Sequence, residues 1–204
     1  MFGMGKNNRY QLGKYQNEDT QHSEIFDKYQ SAVKIQRLTT ESELPDSYFD
    51  GEKIAKVACG KFHTIFLTQT GRVFSVGYNK YGQLGVSNSI YMHAEEPIEV
   101  FTDGAVIKDI CAGWHHNLLL AEDGTLFGFG ARQNGQMDGK QFDGREEQCA
   151  LFEIPLPESD SPIVSMKAHN LRSQITRANG EVWFWGGYFY EDYHKMLIVN
   201  FNLL

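Results

Sequence analysis

From Ile54 to Gly77 the apolar residues fall into three short runs, Ile54–Gly60, Thr64–Thr68 and Arg72–Gly77. The first two are separated by the turn Lys61–Phe62, and the last two by Gln69–Thr70–Gly71. Turn chemistry recurring about every 8–12 residues between such runs predicts antiparallel strands. Within Arg72–Gly77 the period of two puts Phe74 and Val76 on one face, and the same pairing returns in Phe127 with Phe129 and in Trp183 with Trp185. The residue between the two large ones is small in three places, Gly3, Ser75 and Gly128, which leaves room for something to pack closely against the sheet. Phe184 breaks that rule.

These runs are copies of one unit. Gly60, His63, Gly71, Gly77 and Gly82 recur at an offset of 53 (113 − 60) as Gly113, His116, Gly124, Gly130 and Gly135. Gly180 and Gly186 continue the frame, and MFGMGKNNRYQLG at the start repeats the tail of a unit. Each unit closes with a fourth strand, expected at Ala32–Leu38, Pro97–Phe101, Ala150–Leu156 and Met196–Leu203. A period near 50 residues with four antiparallel strands per copy is the pattern of a β-propeller blade. The expected fold is therefore all-β, a partial propeller of about three and a half four-stranded blades. Its expected divisions are a half blade with a polar insertion (1–38), a loop (39–53), two blades (54–101 and 102–156) and a degenerate terminal blade (157–204).

The stretch IAKVACGKFHTIFLTQTGRVFSVGYNKYGQLG resembles the regulator of chromosome condensation repeat almost throughout, and VIKDICAGWHHNLLLAEDGTLFGFGARQNGQM resembles it well. IVSMKAHNLRSQITRANGEVWFWGGYFYEDYH is a degenerate copy, with His169 at the glycine position, Arg172 at the histidine position and no GQLG. The resemblance implies a ring of seven blades, of which this chain would supply about half. It also implies one of two functions, since the family includes an exchange factor for the small GTPase Ran and propellers that serve as binding or scaffold modules.

Composition narrows the choice. At 204 residues with 41% hydrophobic content the chain can bury a sizeable core. A net charge of −7 argues against a nucleic-acid surface. The absence of a long apolar run argues against membrane insertion, and a cytoplasmic location is expected, with cytoskeletal, ciliary and nuclear assemblies left open. The odd set Cys59, Cys111 and Cys149 reads as small buried hydrophobes in a reducing compartment.

No catalytic, cofactor or metal residues are expected, and the chain is not expected to be an enzyme. Cys59-x-x-x-His63 and Cys111-x-x-x-His115 have zinc-like spacing, but the repeat frame aligns each cysteine with an alanine of the other copy. His63 and His116 are expected to hydrogen-bond a neighbouring blade or their own turn. The partner-binding candidates are the first turns of the blades, Lys61 with Phe62, Trp114 with His115 and Asn170 with Leu171, together with Phe184. The terminal blade is expected to be specialised because Trp183, Phe184, Trp185, Tyr188, Phe189, Tyr190 and Tyr193 crowd into it. The expected function is a structural or adaptor module that binds a protein completing or capping the open ends, with exchange on a Ran-like GTPase as the alternative and a piece of a longer multidomain protein as a third possibility.

Overall fold

Hydrogen bonding between neighbouring strands, rather than apolar content alone, sets where each strand starts and stops. In a computed structural model, residues 2–5, 29–34, 49–137, 147–187 and 197–200 are described, with the side chains of 49–137 and 150–187. They form fourteen strands and no helix, so none is long and apolar enough to cross a membrane. Strands β1 (Phe2–Gly5) and β2 (Tyr29–Lys34) form a two-stranded sheet. Strands β3 (Ile54–Cys59), β4 (His63–Thr68), β5 (Val73–Tyr78) and β6 (His93–Val100) form an antiparallel sheet in chain order. The same order is kept by β7 (Ile107–Ala112), β8 (His116–Ala121), β9 (Leu126–Ala131) and β10 (Glu147–Glu153), and by β11 (Ile163–His169), β12 (Arg172–Arg177), β13 (Glu181–Gly186) and β14 (Leu197–Asn200).

The fourth strands differ most from expectation. β6 starts at His93 rather than Pro97, because Tyr78 pairs with His93 and Gly77 with Ala94. The polar His-Ala-Glu-Glu segment is thus drawn into the ladder, while Phe101 is left outside it and exposed. Pro97 lies where the register shifts between Ser75 and Gly77, so its missing N–H falls at an irregularity of an edge strand. β10 begins at Glu147 rather than Ala150, and β2 begins at Tyr29, inside the stretch expected to be insertion. Most of that insertion, residues 35–48 of the expected strand end and loop, and Tyr188–Tyr193 lie outside the described residues.

Alternation within each strand divides the core into layers between sheets. Ile65, Leu67 and Val73 of the second sheet meet Ile107, Ile110, Leu119 and Phe129 of the third. Leu118, Leu120 and Leu126 on the far side of the third meet Met166, Ile175, Trp183 and Trp185 of the fourth. Burial of each such large side chain contributes ~1.5–3 kcal/mol. The two tryptophans are therefore core, 7% and 3% exposed. What approaches the small residues is each unit's own turn. Ser75 Oγ donates to Leu84 O at 2.7 Å, and a β-carbon on Gly128 would lie 2.7 Å from Met137 Sδ. Phe49, in the stretch read as a polar loop, is buried against Phe66 and Phe74. Arg72 holds that turn in place by ion pairs to Asp50, Glu52 and Glu99.

The last sheet turns a different chemistry outward. Lys167, Gln174 and Thr176 occupy the positions that are Ala58, Ile65 and Leu67 in the second sheet and Cys111, Leu118 and Leu120 in the third. Phe184 lies on that outer face, half-buried and paired with Gln174. The equivalent residues therefore do different work. Leu118→Ala is expected to cost about 2–5 kcal/mol, whereas Gln174→Ala changes stability by no more than about 0.5 kcal/mol; urea unfolding of the two variants checks the difference.

Candidate functional site

The expected turn candidates gather at one end of the sheets because each follows the innermost strand of its unit. Strands β3, β7 and β11 pack on one another from sheet to sheet, and the turns after them are joined in a row. Lys61 N donates to Trp114 O at 3.1 Å, and Trp114 N donates to Asn170 O at 2.8 Å. Backbone bonds of this kind hold the turns in a fixed spacing.

Beneath the turns, the buried histidines connect the sheets. His63 Nε2 is 2.8 Å from Asn117 Oδ1, and Asn117 Nδ2 donates to Gln83 O at 2.9 Å. Asn117 has spent its amide on Gln83, so its oxygen is the acceptor and His63 carries its proton on Nε2. One unit later the path repeats with different residues. His116 Nε2 is 3.0 Å from Ser173 Oγ, which donates to Gln136 O at 2.8 Å. Trp185 Nε1 gives Gln136 O a second donor at 2.7 Å. In each case a histidine of one sheet reaches a polar side chain of the next, which returns to the glutamine turn of the first.

Both rings are fully buried, and their Nδ1 atoms have no hydrogen-bond partner. Protonation would place a second N–H in a dry site without an acceptor. Burial accordingly pushes His63 down to about 4 and His116 down to about 3. The rings also explain the glycines before them. A β-carbon on Gly60 would come within 2.0 Å of His63 Cε1, and one on Gly113 within 2.2 Å of His116 Cε1. In the third copy Arg172 replaces the histidine and is exposed, and His169 stands where the glycine would be.

On the surface above, Lys61 Nζ lies 4.6 Å from the Trp114 ring centroid and 5.2 Å from that of Phe62. Phe62 meets His115 at 5.9 Å and Tyr78 at 6.2 Å, and His115 meets Tyr81 at 4.7 Å. Lys80 Nζ continues the path, 5.7 Å from the Tyr81 ring. Burial first, and then the Lys61 charge, lower His115 to about 4.

Of the expected candidates, Lys61, Phe62, Trp114, His115 and Asn170 come together. Phe62 is half-buried, while Trp114 keeps 38% of its surface exposed. Leu171 is a correction, being buried, because the residue after the Asn170 turn points inward. Phe184 is also elsewhere, in mid-strand on the outer face of the last sheet. A further apolar group was missed: Ile90, Tyr91 and Met92 are exposed at the same end as the turns, since Asn79 N bonds Met92 O and His93 pairs with Tyr78. The one signal for it was the apolar triplet itself, in the loop before the fourth strand.

The thiols differ from one another. Burial pushes the Cys111 thiol up to about 12, and Asp109 adds to the effect. Cys59 is exposed, against the expectation of burial. It occupies the position of Ala112, whose sheet has β3 packed against it, whereas among the described residues no strand is packed in the same way on Cys59. Among the described residues no group of three or more His, Cys, Asp or Glu is arranged to hold a metal ion.

Comparison with known proteins agrees with this architecture. Residues 54–83, 107–136 and 70–120 match the regulator of chromosome condensation (RCC1) repeat. The chain is 31% identical over 140 residues to the Ultraviolet-B receptor UVR8 of Arabidopsis thaliana, covering 67% of this chain and 30% of the receptor. It is 36% identical over 94 residues to Protein RCC2 of Homo sapiens, covering 46% of this chain and 18% of RCC2. Among solved structures it is similar to Prp20p from Saccharomyces cerevisiae, a protein with binding properties to Gsp1p and histones. That match has a TM-score of 0.64 and 25% identity over 91% of this chain and 38% of Prp20p. The chain thus spans less than a third of the length of these two curated relatives.

Two buried neutral histidines make stability depend on pH in a defined direction. Their folded pKa values lie below the unfolded value near 6.5, so the unfolded state binds more protons and stability falls as pH drops through that value. Between pH 7 and pH 5 the two together are expected to remove about 3–4 kcal/mol, and the half-buried His115, also lowered, adds to the dependence in the same direction. His116→Gln keeps a donor for Ser173 and should remove about 2 kcal/mol of it, as read from urea unfolding across the range.

Proposed function

Because this chain belongs to the family of regulator of chromosome condensation (RCC1) repeat proteins, we propose that it is a protein-binding module, a structural or adaptor part of a larger assembly rather than an enzyme. The observation that carries this reading is the rigid end formed by the turns. Trp114, Ile90, Tyr91 and Met92 are exposed there, on a framework set by inter-turn backbone bonds. Exposed aromatics on a preorganised surface are the usual anchors of protein interfaces. The strongly perturbed histidines below are engaged in holding sheets together, which leaves recognition to the surface.

A partner that completes the array is part of the same proposal. Among the described residues the first unit has two strands where the others have four, and Val57 and Cys59 of the second sheet stay exposed. The outer face of the last sheet is polar at Lys167, Gln174 and Thr176. Completion is therefore proposed at the first end, by another chain or another segment of the natural protein adding strands and apolar cover. The unit limits 54–101, 102–156 and 157–204 belong to this reading. A cytoplasmic setting, or a cytoskeletal, ciliary or nuclear assembly, fits the free thiols.

The similarity to Prp20p, with its binding properties to Gsp1p, favours a second reading, nucleotide exchange on a small GTPase. The two separate in experiment. With Phe62→Ala and Trp114→Ala combined, proteins that co-purify with the chain are expected to be lost while the urea midpoint stays within about 1 kcal/mol of the original. Unchanged co-purification would end the binding reading for this face. Release of a fluorescent GDP analogue from a panel of Ran-like GTPases is expected to be unaffected by the chain; acceleration would establish the second reading instead.

A further inference from the structure

Cations stand at the end that carries the turns. Among the described residues there are Lys61, Lys80, Arg132 and Arg172, with Glu147 opposite Ala131. At the other end Arg72 is taken up by Asp50, Glu52 and Glu99.

The two lysines at the turn end are placed for recognition. Both are exposed, and neither forms a salt bridge with a carboxylate among the described residues. Lys61 is held over the rings of Phe62 and Trp114, and Lys80 over Tyr81. Between them runs the continuous path Phe62, His115, Tyr81. A cation resting on aromatic faces retains its charge for an incoming anion and loses little side-chain freedom on binding. Beside the path lie the exposed Trp114 and the Ile90–Met92 group. The surface is thus a strip with a cation at each end and apolar surface between and beside them.

We propose that this strip binds an acidic segment of a partner protein, one in which carboxylates flank an apolar side chain. The proposal rests on the protein-binding reading above and adds the chemistry of the partner. Carboxylates would pair with Lys61 and Lys80, and the apolar residue would lie on Trp114 and Phe62. A nucleic acid also offers anions, but two lysines flanking aromatic and aliphatic surface on an acidic protein make a poor track for closely spaced phosphates.

The experiment uses the whole chain and fluorescence anisotropy with a labelled peptide of Glu-Glu-Leu repeats, its Gln-Gln-Leu counterpart and a labelled oligothymidine. The Glu peptide is expected to bind at least roughly tenfold more tightly than the Gln peptide. Raising NaCl from about 0.05 M to about 0.5 M should weaken it severalfold. Lys61→Glu with Lys80→Glu should weaken it roughly tenfold or more, with thermal unfolding unchanged because both side chains are exposed. Equal binding of the two peptides, indifference to the double substitution, no binding of the Glu peptide or tighter binding of oligothymidine would each overturn the proposal. If the Glu peptide fails while Phe62→Ala with Trp114→Ala still loses co-purifying proteins, the face binds proteins of another chemistry and the broader reading survives. If both fail, that reading goes as well.

Discussion

A neutral imidazole sealed between two sheets is the interaction on which this array depends. Apolar layers between sheets are large, but they are non-directional and would tolerate sliding. A histidine that must place its one N–H on one oxygen of the next sheet does not, because a buried donor left unpaired costs about 1–3 kcal/mol. His63 on Asn117 and His116 on Ser173 therefore fix the angle and height at which successive sheets meet. The return bonds to Gln83 O and Gln136 O tie the same polar groups to the turn that closes each unit. The small residues Ser75 and Gly128 belong to this arrangement, since they admit that turn against the sheet.

The device stops where the array changes character. The third copy receives a bond through Ser173 but, among the described residues, sends none, since Arg172 is exposed in place of the histidine. Without an imidazole beneath it the preceding residue need not be glycine, and His169 occupies that position. The apolar positions that would feed another layer become Lys167, Gln174 and Thr176 in the same sheet. Loss of the relay, loss of the glycine and polarity of the outer face are one change seen at three places. They agree with the physics of stacked units, in which each buries its faces only against its neighbours.

Rigidity below serves the surface above. The turns that carry Lys61, Trp114 and Asn170 are bonded to one another through the backbone and lie on strands spaced by the histidines. Aromatic side chains there are half-covered by each other, so they stay in place without being lost to the core. The opposite end is organised differently. Arg72 gathers Asp50, Glu52 and Glu99, stacks on Phe74 and holds Phe49 over the sheet. One end thus spends its cation internally among carboxylates, while the other leaves Lys61 and Lys80 exposed.

Sequence alone determined the family of the fold, because glycines, the period of two and the five matched positions from Gly60 to Gly82 are local features repeated in register. It also determined that His63 and His116 are structural, since a residue placed by the repeat serves the repeat. It did not determine strand ends such as His93, because a polar segment enters a ladder when its neighbour's backbone needs a partner. Nor could it separate Trp114 from Leu171, which hold neighbouring places in equivalent turns, yet one is exposed and the other buried. That difference depends on which way each side chain leaves a turn already fixed by its neighbours. The meeting of Lys61 with Trp114 was likewise invisible along the chain, where the two lie in different repeats. Only antiparallel folding, which brings every second turn to the same end, puts them side by side.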